Sequence, residues 1–196
     1  MKTKQCVLIM FISVTAMAAK LPADGDGAHL SADFVMTRTL SALSQDIESK
    51  GKLYIGGPGK LRFEVTAPTR SILVLNKNNA FISYPDVGVT RKFDATGDPV
   101  MALLSKHLFA LMQADEKEIL KHYDLKEKKD EIKKLVPKDA NIRQYFSEIS
   151  VRAKNVREIK WVQLTSKNGD LTRIEFFNVD TKVKLANELF ELQVSE

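Results

Sequence analysis

Gly51-Lys52-Leu53-Tyr54-Ile55-Gly56-Gly57-Pro58-Gly59-Lys60-Leu61-Arg62-Phe63-Glu64-Val65 decides how this chain folds. Leu61, Phe63 and Val65 alternate with Arg62 and Glu64. That strict period of two puts three apolar side chains on one face of a strand and two charges on the other. Leu53-Tyr54-Ile55, after Gly51, reads as a second strand. Gly56-Gly57-Pro58-Gly59 between them supplies a tight turn. The stretch predicts an antiparallel hairpin with one apolar face.

Working outward, Pro68 ends the hairpin and Ser71 to Leu75 is a continuous apolar run, consistent with a strand covered on both faces. Asn76-Lys77-Asn78-Asn79 is a turn, Phe81 to Tyr84 the return strand, and Val87 to Phe93 a further short strand after the break at Pro85-Asp86. The pattern changes at Gly97. Asp98 is a good helix cap and Pro99 suits the first helical position. Val100, Leu103, Leu104, Leu108 and Leu111/Met112 then recur at helical spacing, and Met101 widens the stripe. Residues 115–134 read two ways, as a helix by their Glu/Lys propensity or as a hairpin around Lys128-Lys129-Asp130. Strands return with Ile149-Ser150-Val151, Ile159 to Leu164 and Leu171 to Phe177, the last two joined at Asn168-Gly169. Val183 to Ala186 reads as one helical turn before a final strand, Leu189 to Val194.

The N-terminus changes the meaning of the composition. Lys2 and Lys4 precede an uncharged run from Cys6 to Ala18, and Ala16-Met17-Ala18 is a small-residue cleavage site. Residues 1–18 thus read as a signal peptide, with a mature domain over 19–196. The run is too short for a transmembrane helix of ~20 residues. Of 196 residues, 30 are Lys or Arg and 25 Asp or Glu, a formal charge of +5. Loss of the leader leaves a mature chain near +3 without its one cysteine, which excludes a disulfide framework or a thiolate metal site. No internal repeat or linker marks a second domain.

Motifs for catalysis are absent from the sequence. His29, His107 and His122 stand far apart, with no carboxylate at ligand spacing, so neither a metal nor another cofactor is expected. The glycine-rich turn lacks the Lys-Ser/Thr and the helix of a phosphate loop, and no Gly-x-Ser-x-Gly elbow is present. Asp24/Asp26 and Asp115/Glu116 lie in polar runs that suit a solvated surface better than an acid/base pair. Lys126 to Lys134 is interleaved with Glu127, Asp130 and Glu131, which argues against nucleic-acid binding. What remains is apolar, and two accounts fit it: a sheet packed on its helix as an ordinary core, or a curved sheet whose concave side holds an apolar ligand beneath a helical lid.

Gly51, Leu53, Tyr54, Ile55, Pro58, Leu61, Phe63 and Pro68 together resemble the signature of the outer-membrane lipoprotein carrier proteins (LolA-like). The agreement continues in order: Phe34 at the family's first-strand Phe, Ser71-Ile72-Leu73-Val74 at its next strand, and Tyr84-Pro85 at a strand end. Asp94-Ala95-Thr96-Gly97 with Pro99 resembles the start of the central lid helix. Tyr123 to Pro137 is similar to a later hairpin, which favours strands there, and Asn187 to Leu192, with Phe190, resembles the closing strand.

The resemblance implies an α+β, mostly antiparallel fold: an incomplete, open β-barrel around a hydrophobic cavity with a helical lid. It implies a non-enzymatic, monomeric periplasmic carrier of acylated lipoproteins, or of a related envelope lipid. Such a carrier is loaded by an inner-membrane ABC transporter and unloaded at an outer-membrane acceptor. Parity and resemblance together place Leu61, Phe63 and Val65 of the sheet, and Val100, Met101, Leu103 and Leu104 of the lid, against the ligand. A lipoprotein-sensing regulatory domain and an exported hydrolase are the alternatives, the second disfavoured by the missing nucleophile. Two departures set the chain apart. Gly57 stands where the family has a lid-holding arginine, and the first lid helix maps to Lys20–Ala32, where Asp24-Gly25-Asp26-Gly27 is a poor helix former.

Overall fold

The computed structural model describes residues 29–42, 45–57, 59–76, 79–94, 116–153 and 159–192. Their strands join one antiparallel sheet: β1 (His29–Thr39), β2 (Ile47–Gly56), β3 (Lys60–Ala67), β4 (Ser71–Asn76), β5 (Asn79–Tyr84), β6 (Val89–Asp94), β7 (Tyr123–Lys129), β8 (Ile132–Pro137), β9 (Phe146–Ala153), β10 (Ile159–Ser166) and β11 (Leu171–Asp180). The order is β6-β5-β4-β3-β2-β1-β11-β10-β9-β8-β7, so the sheet is open and the first and last strands meet at its middle. The antiparallel class and the open sheet agree with expectation.

Period-two alternation builds the sheet's inner face. Leu30, Ala32, Phe34 and Met36 of β1 are buried, as are Leu53 and Ile55 of β2 and Leu61, Phe63 and Val65 of β3. Ile149, Val162, Leu164, Ile174 and Phe176 continue the same layer across β9, β10 and β11. On β4 both faces are buried, as the unbroken apolar run predicts. Leu73 and Leu75 join the inner layer, whereas Ile72 and Val74 pack on the outer side with Phe190, Tyr54, Phe81, Leu185, Leu189 and Leu192.

That outer cluster corrects the reading of the C-terminus. Asn187–Phe190 is a short 3-10 turn rather than a closing strand, and residues 183–186 are extended rather than helical. Both edges of β11 are already paired, with β1 and with β10, so a following strand finds no ladder beside it. The segment instead crosses the outer face and satisfies its backbone through side chains: Arg62 Nη1 donates to the Leu189 carbonyl (3.3 Å) and Asn76 Nδ2 to that of Phe190 (3.3 Å). Leu185 N–H donates to His29 Nδ1 at 2.9 Å.

Residues 116–137 form a short helix α1 (Glu116–His122) that runs into the β7–β8 hairpin. Leu125 faces Leu135 across the pair, and Asp130 makes the turn at φ 53°, a left-handed conformation that Asp tolerates. Here cross-strand pairing outweighs helix propensity. Helix α2 (Ala140–Arg143) follows, capped by Asp139, whose Oδ1 accepts from Asn141 N–H at 2.8 Å, and it buries Ile142. The strand expected from Val87 begins at Val89, because Pro85–Val87 is a 3-10 turn. His29–Ala32, the end of the stretch matched to a first lid helix, is strand β1. The expected leader and the apolar helix expected over 99–112 lie outside the described residues.

Candidate ligand-binding face

Strand β3 places Leu61, Phe63 and Val65 side by side on the inner face, with 0%, 0% and 5% of their surface exposed. Phe63 stacks on Phe34, the ring centroids 4.2 Å apart and the planes 14° from parallel. The two rings reach each other across β2, where Gly51 is paired with Phe34 on one side and Val65 on the other. A Cβ at Gly51 would overlap the Glu64 carbonyl oxygen and lie 2.5 Å from Phe34 Cζ. The glycine of the sequence signature is therefore the slot in which the aromatic pair lies flat. Val100, Met101, Leu103 and Leu104 lie outside the described residues, so the sheet half of the expected site stands alone here.

The turn after β2 explains one departure from the family pattern. Gly57 has φ 80° and Gly59 φ 76°, a region that a side chain occupies only at a cost. An arginine at position 57 would have to adopt that strained backbone, and Gly57 offers no side chain to hold a lid.

The opposite face of the same strands is polar. Arg62 and Glu64 form a half-buried pair, with Nε to Oε2 at 2.9 Å and Nη2 to Oε2 at 2.9 Å. Where the β1–β11 register slips between Ser31 and Asp33, a depression of about 130 Å³ opens among Ser31, Asp33, Lys52, Tyr54 and Asn178. Asn178 Nδ2 donates to Asp33 Oδ2 (2.8 Å) and Lys52 Nζ lies 3.1 Å from Asp33 Oδ1. The Asn178 hydrogen bond first, and then Lys52, hold the Asp33 carboxyl below its ordinary pKa; Asp33 in turn raises that of Lys52. Burial pushes the Tyr123 phenol up. Among the described residues, no group of three or more His, Cys, Asp or Glu is placed to hold a metal ion, and no helix is long and apolar enough to span a membrane.

An apolar sheet face of this extent, with Arg62, Glu64, Asp33 and Lys52 on the other side, suits a binding protein for apolar groups. The comparisons name the class. The model of the family "outer membrane lipoprotein carrier protein LolA" matches residues 27–193. The outer-membrane lipoprotein carrier protein of Chromobacterium violaceum is 32% identical over 185 residues, covering 86% of this chain and 85% of that relative. The chain belongs to the LolA family of outer membrane lipoprotein carrier proteins. Among solved structures, it is similar to the LolA superfamily protein NE2245 from Nitrosomonas europaea, with a TM-score of 0.45 and 7% identity over 96% of this chain and 97% of that one. It is also similar to a chain of the MucA/MucB complex of Pseudomonas aeruginosa, with a TM-score of 0.47 and 16% identity over 96% of this chain and 63% of that one.

Parity put Leu61, Phe63 and Val65 on one face, and resemblance pointed to Phe34; all four lie in the buried inner layer. Neither gave a reason for Gly51, because the reason is a contact with two strands distant in sequence. Nor did either single out Arg38, which continues the even-numbered stripe Leu30, Ala32, Phe34, Met36 that a period-two count along β1 exposes.

Proposed function

We propose that the chain is a periplasmic carrier that shields the acyl chains of lipoproteins, or of a related envelope lipid, against the inner face of its sheet. In this reading residues 1–18 are the export signal and 19–196 one carrier domain, a monomer without catalytic residues. Leu61, Phe63 and Val65 line the ligand from the sheet, and Val100, Met101, Leu103 and Leu104 cover it from a lid. An inner-membrane ABC transporter supplies cargo and an outer-membrane acceptor receives it.

Family membership and the apolar wall centred on the Phe34–Phe63 stack support this reading. The physical need is plain. Each exposed methylene costs roughly 0.8 kcal/mol in water, so an acyl chain crosses an aqueous gap only inside an apolar shelter. Release requires that the shelter be adaptable, and broad aliphatic and aromatic surfaces without fixed polar contacts meet that need.

Mass spectrometry of lipids and lipopeptides co-purifying with the mature protein from its native periplasm tests the proposal. Acylated cargo on the wild type and none on Phe63→Glu is the expected result. Equal lipid on both proteins would sink the assignment of the face. A protein that captures a regulator but no lipid would instead make it a sensor.

A further inference from the structure

We propose that Arg38 binds the acidic head of a single-chain amphiphile, a carboxylate or phosphate, whose acyl tail runs along Met36 and the Phe34–Phe63 pair. This deepens the carrier reading and rests on it.

The placement follows from β1. Leu30, Ala32, Phe34 and Met36 are buried at every second position, and Arg38 is the next residue of that row. Its strand neighbours are Thr172 of β11 and Ile47 of β2. Thr172 is buried, and so is Ser49, which pairs with Met36 on the same face. Polar groups thus gather at one end of a wall that is otherwise apolar. From Arg38 back to Leu30 that wall runs about 26 Å at ~3.3 Å per residue, enough for an extended long acyl chain.

Arg38 is also left short of partners. Its Nε is buried and has no hydrogen-bond partner among the described residues. A buried donor in that state is costly, so a fold that retains it points to an acceptor supplied from outside. The carboxylate within reach of its field is Asp170, and Asp170 is already engaged. It accepts from Ser41 N–H at 2.8 Å, Ser41 Oγ at 2.9 Å and Asn168 Nδ2 at 2.8 Å. A planar guanidinium with an unpaired Nε–H suits a carboxylate or phosphate oxygen. An acyl group held as an ester or amide has no charge to offer it. The acid would therefore be preferred over its neutral derivative.

The test is fluorescence titration of the purified mature protein with three probes: a fluorescent long-chain fatty acid, its methyl ester, and a single-chain lysophosphatidic acid carrying the same fluorophore. Wild type should bind both acids about tenfold or more tightly than the ester, the scale of one charged hydrogen-bonded pair. Binding of only one of the acids above the ester identifies the head group and also supports the site. Arg38→Met should remove the difference while leaving ester binding unchanged, and Arg38→Lys should keep part of it; Arg38→Gln replaces Arg38→Met if the latter fails to fold. Equal binding of acids and ester by the wild type, or a preference that survives the loss of the guanidinium, overturns the proposal and leaves the carrier reading standing. Failure of the wild type to bind any probe overturns both.

Discussion

The two faces of β3 are made by alternate residues of one strand and do opposite work. Leu61, Phe63 and Val65 face inward, into an apolar layer that includes the Phe34 ring. Arg62 and Glu64 face outward, paired with each other and, through Arg62, with the backbone of the C-terminal segment. Directional bonds hold the outer face to one arrangement. The inward side chains of β3 rely on contact alone, which is non-directional and tolerates exchange of one apolar neighbour for another. The difference separates a side that fixes the fold from the side proposed to bind cargo.

The sharpest way to break that division is Phe63→Glu. It buries a charge beside the Phe34 ring, where it has no partner, and should abolish lipid co-purification and lower stability by several kcal/mol. Denaturant melts of the lipid-free protein separate the two effects. Phe190→Ala attacks the other side. Its ring fills the space above Gly56, where a Cβ would overlap it, and packs on Ile72 and Val74. About 3–5 kcal/mol of stability should be lost, with lipid binding retained in the folded fraction. Loss of binding in proportion to Phe63→Glu would erase the distinction between faces.

Gly51→Ala sharpens the picture of the inner face. The added methyl meets Phe34 and the β3 backbone, so a destabilisation of about 1–3 kcal/mol is expected. The loss of ring stacking should show in near-ultraviolet circular dichroism.

The smallest effect concerns pH. Asp33 and Asp170 have folded-state pKa values lowered chiefly by hydrogen bonds from Asn178 and from Ser41 N–H respectively. A depressed carboxyl contributes stability above its unfolded pKa and loses it as pH falls through the folded one. Both groups are largely solvated, so the contribution is below about 1 kcal/mol. Wild type should therefore lose slightly more melting temperature than Asp170→Asn between pH 7 and pH 3. Identical losses would remove Asp170 from the account.

Much of this was legible in the chain itself. Strict alternation in Leu61–Val65 gave the inner side chains, and the unbroken run Ser71–Leu75 foretold a strand covered twice. What covers it was not legible. Phe190, Leu192 and Val194 alternate with Glu191 and Gln193 like a strand, yet periodicity does not say whether a ladder edge is free, and β11 has none left to offer. The Glu/Lys-rich stretch before Pro137 carried helix propensity, and only its pairing with β8 decides against it. Arg38 was legible as the next even position of β1, but the buried Thr172 beside it, 134 residues further along the chain, was not.

The sheet's order also governs when it can be finished. Its central seam joins β1 to β11, and the Asn178–Asp33 hydrogen bond across that seam spans 145 residues. The meander from β2 to β6 needs only near neighbours, and loops of that length close early. A chain emerging N-terminus first holds its first strand half-paired until nearly the last strand arrives. Pulsed hydrogen exchange during refolding should find the β3–β5 amides protected before those between β1 and β11; simultaneous protection would mean that the seam forms with the meander. Until the seam closes, the inner face has no middle, and the surface proposed to bind cargo exists only once almost the whole chain is present.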